Sequence, residues 1–282
     1  MALTCAAALA LAYAAPARAA LAPVAPLSVR QGEVFVFRVA PGQSAPESAT
    51  FLEKTYPPLT VPGEAGPLFL LGVDLEAVPG LQQLVVHRAG GAAEAHAVRI
   101  ERGHFPEERL ALPPAMVTPP RELEERIARE QARAAEIYRA AGGAQLWERG
   151  FTPALVQQAA GNFGRRRILN GIPKSPHGGQ DYTAPAGTPV RAIAGGVVRL
   201  AGDFYYSGLT LFVDHGAGLV SVYMHLEKML VAEGETLAPG QVIGRVGSTG
   251  RATGPHLHLG VRLFEQRVDP ELLWGLFKGR NP

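Results

Sequence analysis

The sequence predicts a mainly β protein: a small N-terminal β-sandwich, a linker helix and a C-terminal all-β domain. Three observations predict it. Gly (33) and Pro (24) are both abundant in a chain of 282 residues, which favours short strands and many turns over a helical bundle. Runs of β-branched and aromatic residues recur along the chain, each closed by a turn-rich stretch. One segment carries apolar residues at helical spacing, between a proline pair and a glycine pair.

The elements follow in order. Residues 1–20 form a short apolar run ending in Ala17-Arg18-Ala19, a small-x-small cleavage pattern, and are expected to be a signal peptide that exports the chain to the periplasm or cell envelope. The run is too short for a permanent membrane span, and it lacks a positive n-region, a defect that a start codon assigned too late would explain. The one cysteine, Cys5, lies in this leader, so the mature chain has no disulfide, thiolate ligand or cysteine nucleophile. Residues 21–104 form the sandwich domain, after a linker over 21–26. Its strands are expected at Glu33–Val39, Leu68–Val73, Gln83–His87 and Ala95–Ile100, and His87, His96 and His104 are scattered surface or turn residues.

Residues 105–150 form a connector, extended over 105–118 and helical beyond. Thr118 is placed to cap the helix with Pro119 at its first position, and Gly142-Gly143 stop it. Leu123, Ile127, Ala134, Ile137, Tyr138 and Ala141 make its apolar stripe, and its charges make a solvated face. Residues 151–282 form the C-terminal domain. Its strands are expected at Pro189–Ile193, Gly196–Leu200, Leu209–Asp214, Leu219–Tyr223, Gln241–Val246 and His256–Val261.

Hydrophobic residues make up 47 % and charged residues 18 %, enough for a packed core and against global disorder. A net charge of +2 gives no field that argues for nucleic acid; a mildly basic surface suits an anionic polymer such as cell wall. There is no Gly-x-Ser-x-Gly nucleophile elbow, no phosphate-cradling loop and no His-Glu-x-x-His.

The chemistry gathers in three places. His177-Gly-Gly-Gln-Asp181 pairs an imidazole and a carboxylate, and its two glycines with Pro176 and Pro185 nearby favour a loop entering a strand over a helix. Such a donor pair suits Zn²⁺. In His256-Leu257-His258, strand alternation puts both histidines on one face, without deciding which binds a metal. His225 ends an apolar strand, alternating with Tyr223. With no glutamate base beside the metal motif, His225 and His256 are the candidate bases. His215, Asp214, Asp203 and Asp269 read as turn or strand-end residues. Tyr205 and Tyr206 are expected to be exposed, with a peptide groove the other option.

At these residues the sequence resembles the lysostaphin/LytM-type zinc metalloendopeptidases. Ser175-Pro-His177-Gly-Gly-Gln-Asp181 with the following Ala-Pro-Ala-Gly-Thr-Pro-Val resembles their first metal motif, Tyr223-Met-His225-Leu the central one, and Thr253-Gly-Pro-His256-Leu-His258 the last. Phe163-Gly164-Arg165 resembles the segment leading into such domains. The likeness covers about residues 160–270, and three motifs in the right order make it specific. It implies a duplicated hybrid-motif fold, zinc held by His177, Asp181 and His258, proton and oxyanion roles for His225 and His256, and hydrolysis of peptide cross-links in bacterial peptidoglycan. The bond expected is D-alanyl–diaminopimelate, with a glycine bridge as the alternative. Members lacking ligands activate other hydrolases; here all five motif positions are filled. The rival expectations are a wall-binding or hydrolase-activating protein with a structural metal, and a biotinyl/lipoyl-type carrier suggested by residues 231–244, which lacks a Met-Lys-Met-like tip. A regulatory protein partner is left open.

Overall fold

A computed structural model describes residues 26–40, 44–111, 113–148 and 150–277. The expected signal peptide, its cleavage pattern and Cys5 lie outside the described residues, as does most of the linker after them.

The protein is mainly β. In the front half, β1 (Leu27–Arg30), β7 (Ala93–Glu101), β6 (Gly80–Arg88), β3 (Pro46–Phe51) and β4 (Lys54–Tyr56) form a five-stranded sheet in that order, with β1 parallel to β7. Facing it, β2 (Val34–Arg38) and β5 (Leu68–Gly72) pair antiparallel. All five residues of β5 are buried, as expected of the run Leu-Phe-Leu-Leu-Gly between two layers. The four strands expected in this half all form.

The connector departs from expectation. β8 (Glu107–Leu110) pairs in parallel with β9 (Arg166–Leu169), and β10 (Ile172–Pro173) completes a three-stranded sheet. A single turn, α1 (Pro114–Val117), ends at Thr118, whose N–H donates to Pro114 O. Thr118 therefore does not cap the long helix. A residue before proline is kept out of the α region, so Pro119, followed by Pro120, cannot begin it. A 3₁₀ turn at Arg121–Leu123 leads instead into α2 (Glu124–Ala140), which has no side-chain N-cap. The apolar stripe of α2 packs on the C-terminal half: Ala134, Ile137 and Tyr138 meet Leu200, Phe212, Val220 and Val222.

The C-terminal half is one nine-stranded sheet system. Its main path runs β11 (Gly179–Thr183), β18 (His256–Leu263), β15 (Leu219–Met229), β14 (Gly208–Asp214), β13 (Gly196–Phe204) and β16 (Thr236–Leu237). Off this path, β12 (Pro189–Arg191) pairs β17 (Val242–Val246), β17 also pairs β15, and β19 (Gln266–Val268) pairs β18. The six strands expected here all form.

A buried apolar cluster runs from Val29 to Trp274 through both halves without a break. Polar contacts reinforce the junction at the β18–β19 hairpin. Arg267 donates to Asp74 from its backbone N at 2.8 Å and from its guanidinium at 2.6 and 3.0 Å, and to Glu76 at 2.6 Å. Lys54 pairs with Glu265, and the Tyr56 and Phe264 rings lie 4.9 Å apart. Among the described residues, no helix is long and apolar enough to cross a membrane.

Candidate metal centre

Strand register places the first pair of donors. In the antiparallel β11–β18 pair, Asp181 stands directly across from His258, and Thr183 from His256. Residues opposite one another share a face, so Asp181, His256 and His258 all point to the same side. His177 enters from the loop just before β11, as the two glycines after it suggested. Gly179 is needed here: a Cβ on it would stand 2.7 Å from His258 Nε2 and 2.4 Å from Leu259 O.

The donor atoms converge. His177 Nε2 lies 2.8 Å from His258 Nδ1 and 3.1 Å from Asp181 Oδ1, and His258 Nδ1 lies 2.8 Å from Asp181 Oδ1. Among the described residues, these three form one group able to hold a metal ion, with ligand atoms within 4.8 Å of one another. His177 Nδ1 lies 2.9 Å from Asn162 O. A carbonyl can only accept, so Nδ1 carries the proton and a neutral ring aims its Nε2 lone pair at the cluster. Burial pushes His258 down to about 4, which keeps that imidazole neutral at pH 7. Burial by itself would raise the Asp181 carboxyl, but the neighbouring His177 and His258 outweigh it and hold it well below the usual carboxylate range. A carboxylate and neutral ring nitrogens, buried and crowded at hydrogen-bond distance, fit a divalent cation.

Asn162 was not anticipated, and it braces this centre from three sides. Its carbonyl fixes His177, its Nδ2 donates to Asp181 Oδ2 at 2.8 Å, and its Oδ1 accepts from Asp181 N at 3.1 Å. Its own N–H donates to Gln180 Oε1 at 3.1 Å. The available signal was its position immediately before Phe163-Gly164-Arg165. Arg167 approaches Asp181 Oδ2 at 3.6 Å from outside.

His225 reaches the site by a route that alternation does not give. Met224 pairs with His258, so a regular strand would turn His225, like Tyr223, to the opposite face. The ladder slips on both sides of it, between Leu209 and Leu211 and between Leu226 and Lys228, and His225 itself has φ +62°. This irregularity re-aims the ring, which lies 4.7 Å from His256 and 6.3 Å from His258 between centroids. Tyr223 stays in the core, its hydroxyl accepting from Ile193 N at 3.0 Å.

The two spare histidines share a tautomer. His225 Nδ1 donates to Thr249 O at 2.9 Å and His256 Nδ1 to Gly254 O at 2.8 Å, so each Nε2 carries a lone pair in the neutral ring. His256 Nε2 stands 4.0 Å from Asp181 Oδ1. Burial pushes His225 down to about 4, with Thr249 O opposing that shift.

Two cavities flank the centre. The larger, about 490 Å³, lies on the His177–Gly178 side. The smaller, about 200 Å³, lies on the His256 side and includes Asp181. His225 and His258 line both, so the candidate donors sit in the floor between them. Tyr205 and Tyr206 are half-buried, contrary to the exposure expected, because they stack on each other at 5.0 Å and Tyr205 N donates to Glu130 of α2; Tyr206 lines the larger cavity. His215 follows β14 at the turn, as expected, yet it is fully buried. It contacts Gly195 O at 2.8 Å and Ser221 Oγ at 2.7 Å, a packing role away from the metal donors.

The fold and these donors define a class first: a mainly β protein with a His–Asp–His cluster fit for a metal ion in the floor of a groove. The sequence model of Peptidase family M23 matches residues 175–270. A crystal structure from Pseudomonas aeruginosa, whose description assigns it provisionally to peptidase M23, is 32 % identical, with a TM-score of 0.68, and the match covers 90 % of this chain and 97 % of that one. The chain belongs to peptidase family M23. Among curated relatives, it is 39 % identical over 109 residues to the peptidoglycan DD-endopeptidase ShyC of Vibrio cholerae, a match covering 38 % of this chain and 25 % of that protein. It is 48 % identical over 94 residues to the DD-carboxypeptidase/endopeptidase Mpg of Neisseria meningitidis, covering 33 % of this chain and 22 % of that protein. The match thus spans about a quarter of the length of these relatives.

Proposed function

We propose that this chain is an exported, zinc-dependent endopeptidase that hydrolyses peptide cross-links of bacterial peptidoglycan, acting in the periplasm or cell envelope. The observation that carries the reading is the convergence of His177 Nε2, Asp181 Oδ1 and His258 Nδ1, with two further histidines on the same groove. The activities for which these relatives are named supply the substrate class and favour a D-alanyl cross-link over a glycine bridge.

His177, Asp181 and His258 would hold the zinc, two neutral imidazoles and one carboxylate being a usual set for a catalytic site. Bound zinc supplies Lewis acidity, lowering the pKa of water to about 7 and polarising the scissile carbonyl. The chain's own residues do the rest. Asn162 holds His177 in its donor tautomer and keeps Asp181 oriented. His225 and His256 each present an unprotonated Nε2, held by a backbone carbonyl behind the ring. One of them takes the proton of the attacking water at Nε2. That same ring, now an imidazolium, hydrogen-bonds the oxyanion that develops on the carbonyl and then gives this proton to the leaving amine, while the other, neutral ring accepts a hydrogen bond from the water at its Nε2. The walls of the two cavities orient the peptide on either side of the bond.

His225→Ala separates catalysis from metal holding. Zinc content by elemental analysis is expected to stay at the wild-type level, while muropeptide cleavage, followed by mass spectrometry, falls by about 10²–10⁴-fold. Unchanged cleavage would remove His225 from the mechanism. Failure of the wild-type protein to cut any cross-linked muropeptide would overturn the activity itself.

A further inference from the structure

The bulge that turns His225 toward the metal donors is not held by β15 alone. Leu209 of β14 and Leu226 of β15 are partners across the ladder, and the slip begins just beyond them. At that rung a third residue enters. The Thr249 hydroxyl accepts from Leu209 N at 2.9 Å and donates to Leu226 O at 2.7 Å. A hydroxyl accepts and donates at once, so it can bridge an N–H on one strand and a carbonyl on the next. Thr249 belongs to neither strand; it lies in the loop between β17 and β18.

The same residue also meets the ring. Its backbone O, 2.9 Å from His225 Nδ1, is the carbonyl that fixes the tautomer. The side chain therefore ties together the two strands on which the bulge depends, and the main chain holds the imidazole that the bulge presents. The fit is close on the other side as well. His225 N donates to Ser207 O at 2.8 Å, and at Gly208, the next residue, a Cβ would stand 2.2 Å from Thr249 Oγ1. The turn at 207–208, the bulge and Thr249 thus pack as one unit. His225 lies at φ +62°, which a non-glycine residue keeps only where its surroundings impose it. A loop carbonyl can impose an orientation only if the loop itself is fixed, and the two bonds of the Thr249 hydroxyl fix this one.

We infer that Thr249 is the positioning residue for His225: its hydroxyl anchors the β17–β18 loop across the β14–β15 ladder, which keeps its carbonyl behind the ring and the Nε2 lone pair aimed into the groove. The inference rests on the proposed role of His225 and adds what sets it. Valine has the shape of threonine without the hydroxyl, so Thr249→Val removes both bonds while leaving the carbonyl and the bulk of the side chain. Thr249→Ser does the reverse, keeping the hydroxyl and removing the methyl.

The experiment uses the zinc-loaded full chain with ¹⁵N-labelled histidine at neutral pH, the ring signals of His225 being assigned by their absence in His225→Gln. The wild type is expected to show His225 protonated at Nδ1. In Thr249→Val the ring is expected to lose that single tautomer, and kcat for muropeptide cleavage to fall about tenfold or more, with KM and zinc content unchanged. Thr249→Ser is expected to recover the tautomer and most of the turnover. A wild-type ring protonated at Nε2 overturns the inference with no variant needed. A folded Thr249→Val protein that keeps the wild-type tautomer overturns it too, even if its melting temperature drops, because a merely structural threonine would behave in that way. Failure of Thr249→Ser to recover the tautomer assigns the effect to the methyl group and also overturns it. If the wild type cuts no muropeptide, the peptidase reading fails, and the ring spectra decide the role of Thr249 by themselves.

Discussion

The front and back halves are built from similar strands but bury different things. Among the described residues, the buried polar or charged side chain of the front half is Arg88, which is hydrogen-bonded to Ser44 O and paired with Glu94. From residue 162 onward the buried set comprises Asn162, His177, Gln180, Thr210, Asp214, His215, Ser221, His225, His258 and Gln266. A buried polar group destabilises a fold unless it is bonded. The back half accepts that cost many times over and bonds most of these groups to each other or to backbone. Where a β protein tolerates so many desolvated donors and acceptors, its chemistry resides. The front half, by contrast, sends Lys54, Asp74 and Glu76 to the junction with the β18–β19 hairpin.

Experiments can break or sharpen this contrast. The largest effect is expected from Asp181→Ala, which removes the charged donor between two imidazoles. Zinc should be lost on dialysis and muropeptide cleavage should fall below detection, while the far-ultraviolet circular dichroism of the sheets persists. Retained zinc at full stoichiometry would remove Asp181 from the ligand set. Next comes Asn162→Ala, which leaves all three donors and the backbone carbonyl behind His177 in place but frees the Asp181 carboxylate. Metal affinity, measured by competition with a chromophoric chelator, is expected to weaken by about 10–100-fold.

The front half is tested by Asp74→Ala. This removes the acceptor of three Arg267 donors, contacts of a kind that contribute about 1.5–3 kcal/mol each when charged groups are involved, though they are not additive. The melting temperature should drop by several degrees with zinc content unchanged; an unaltered melting temperature would show the junction to be energetically idle. The smallest effect concerns His215. Burial holds this imidazole at about 4, below its ordinary value of 6.5. Between those values the unfolded chain binds a proton that the folded chain does not, so stability rises with pH across the window. The contribution is complete above pH 6.5 and is lost as pH falls toward 4. The difference in melting temperature between wild type and His215→Asn should therefore be widest near pH 7 and shrink toward pH 4.

What the sequence disclosed, and what it hid, divides along physical lines. Strands were legible because runs such as Leu68–Gly72 and Leu209–Asp214 declare themselves by side-chain type. The cluster of candidate donors was legible because His177, Asp181 and His258 sit in short, spaced motifs, although alternation could not choose between His256 and His258. The antiparallel register sets Asp181 opposite His258 and one step of the face away from His256, which favours His258 as the partner of Asp181. The helix start was misplaced because Thr118-Pro119 looks like a cap until the effect of Pro120 on its predecessor is counted. Asn162 stayed hidden because its partners, His177 and Asp181, lie 15 and 19 positions away and one of its contacts is made by a backbone carbonyl, which any residue carries. The bulge at His225 stayed hidden because nothing in Tyr-Met-His-Leu announces a left-handed residue.

That last residue sets a limit on how the molecule can be improved. A non-glycine side chain at φ +62° is held against its own backbone preference. Glycine would sit there more comfortably, and a library screened for heat resistance alone would be drawn to it. Such a screen would enrich sturdier proteins that have surrendered an imidazole from the groove. Thermostable variants of this chain should therefore be sought away from the β15 bulge, with His225 excluded from randomisation.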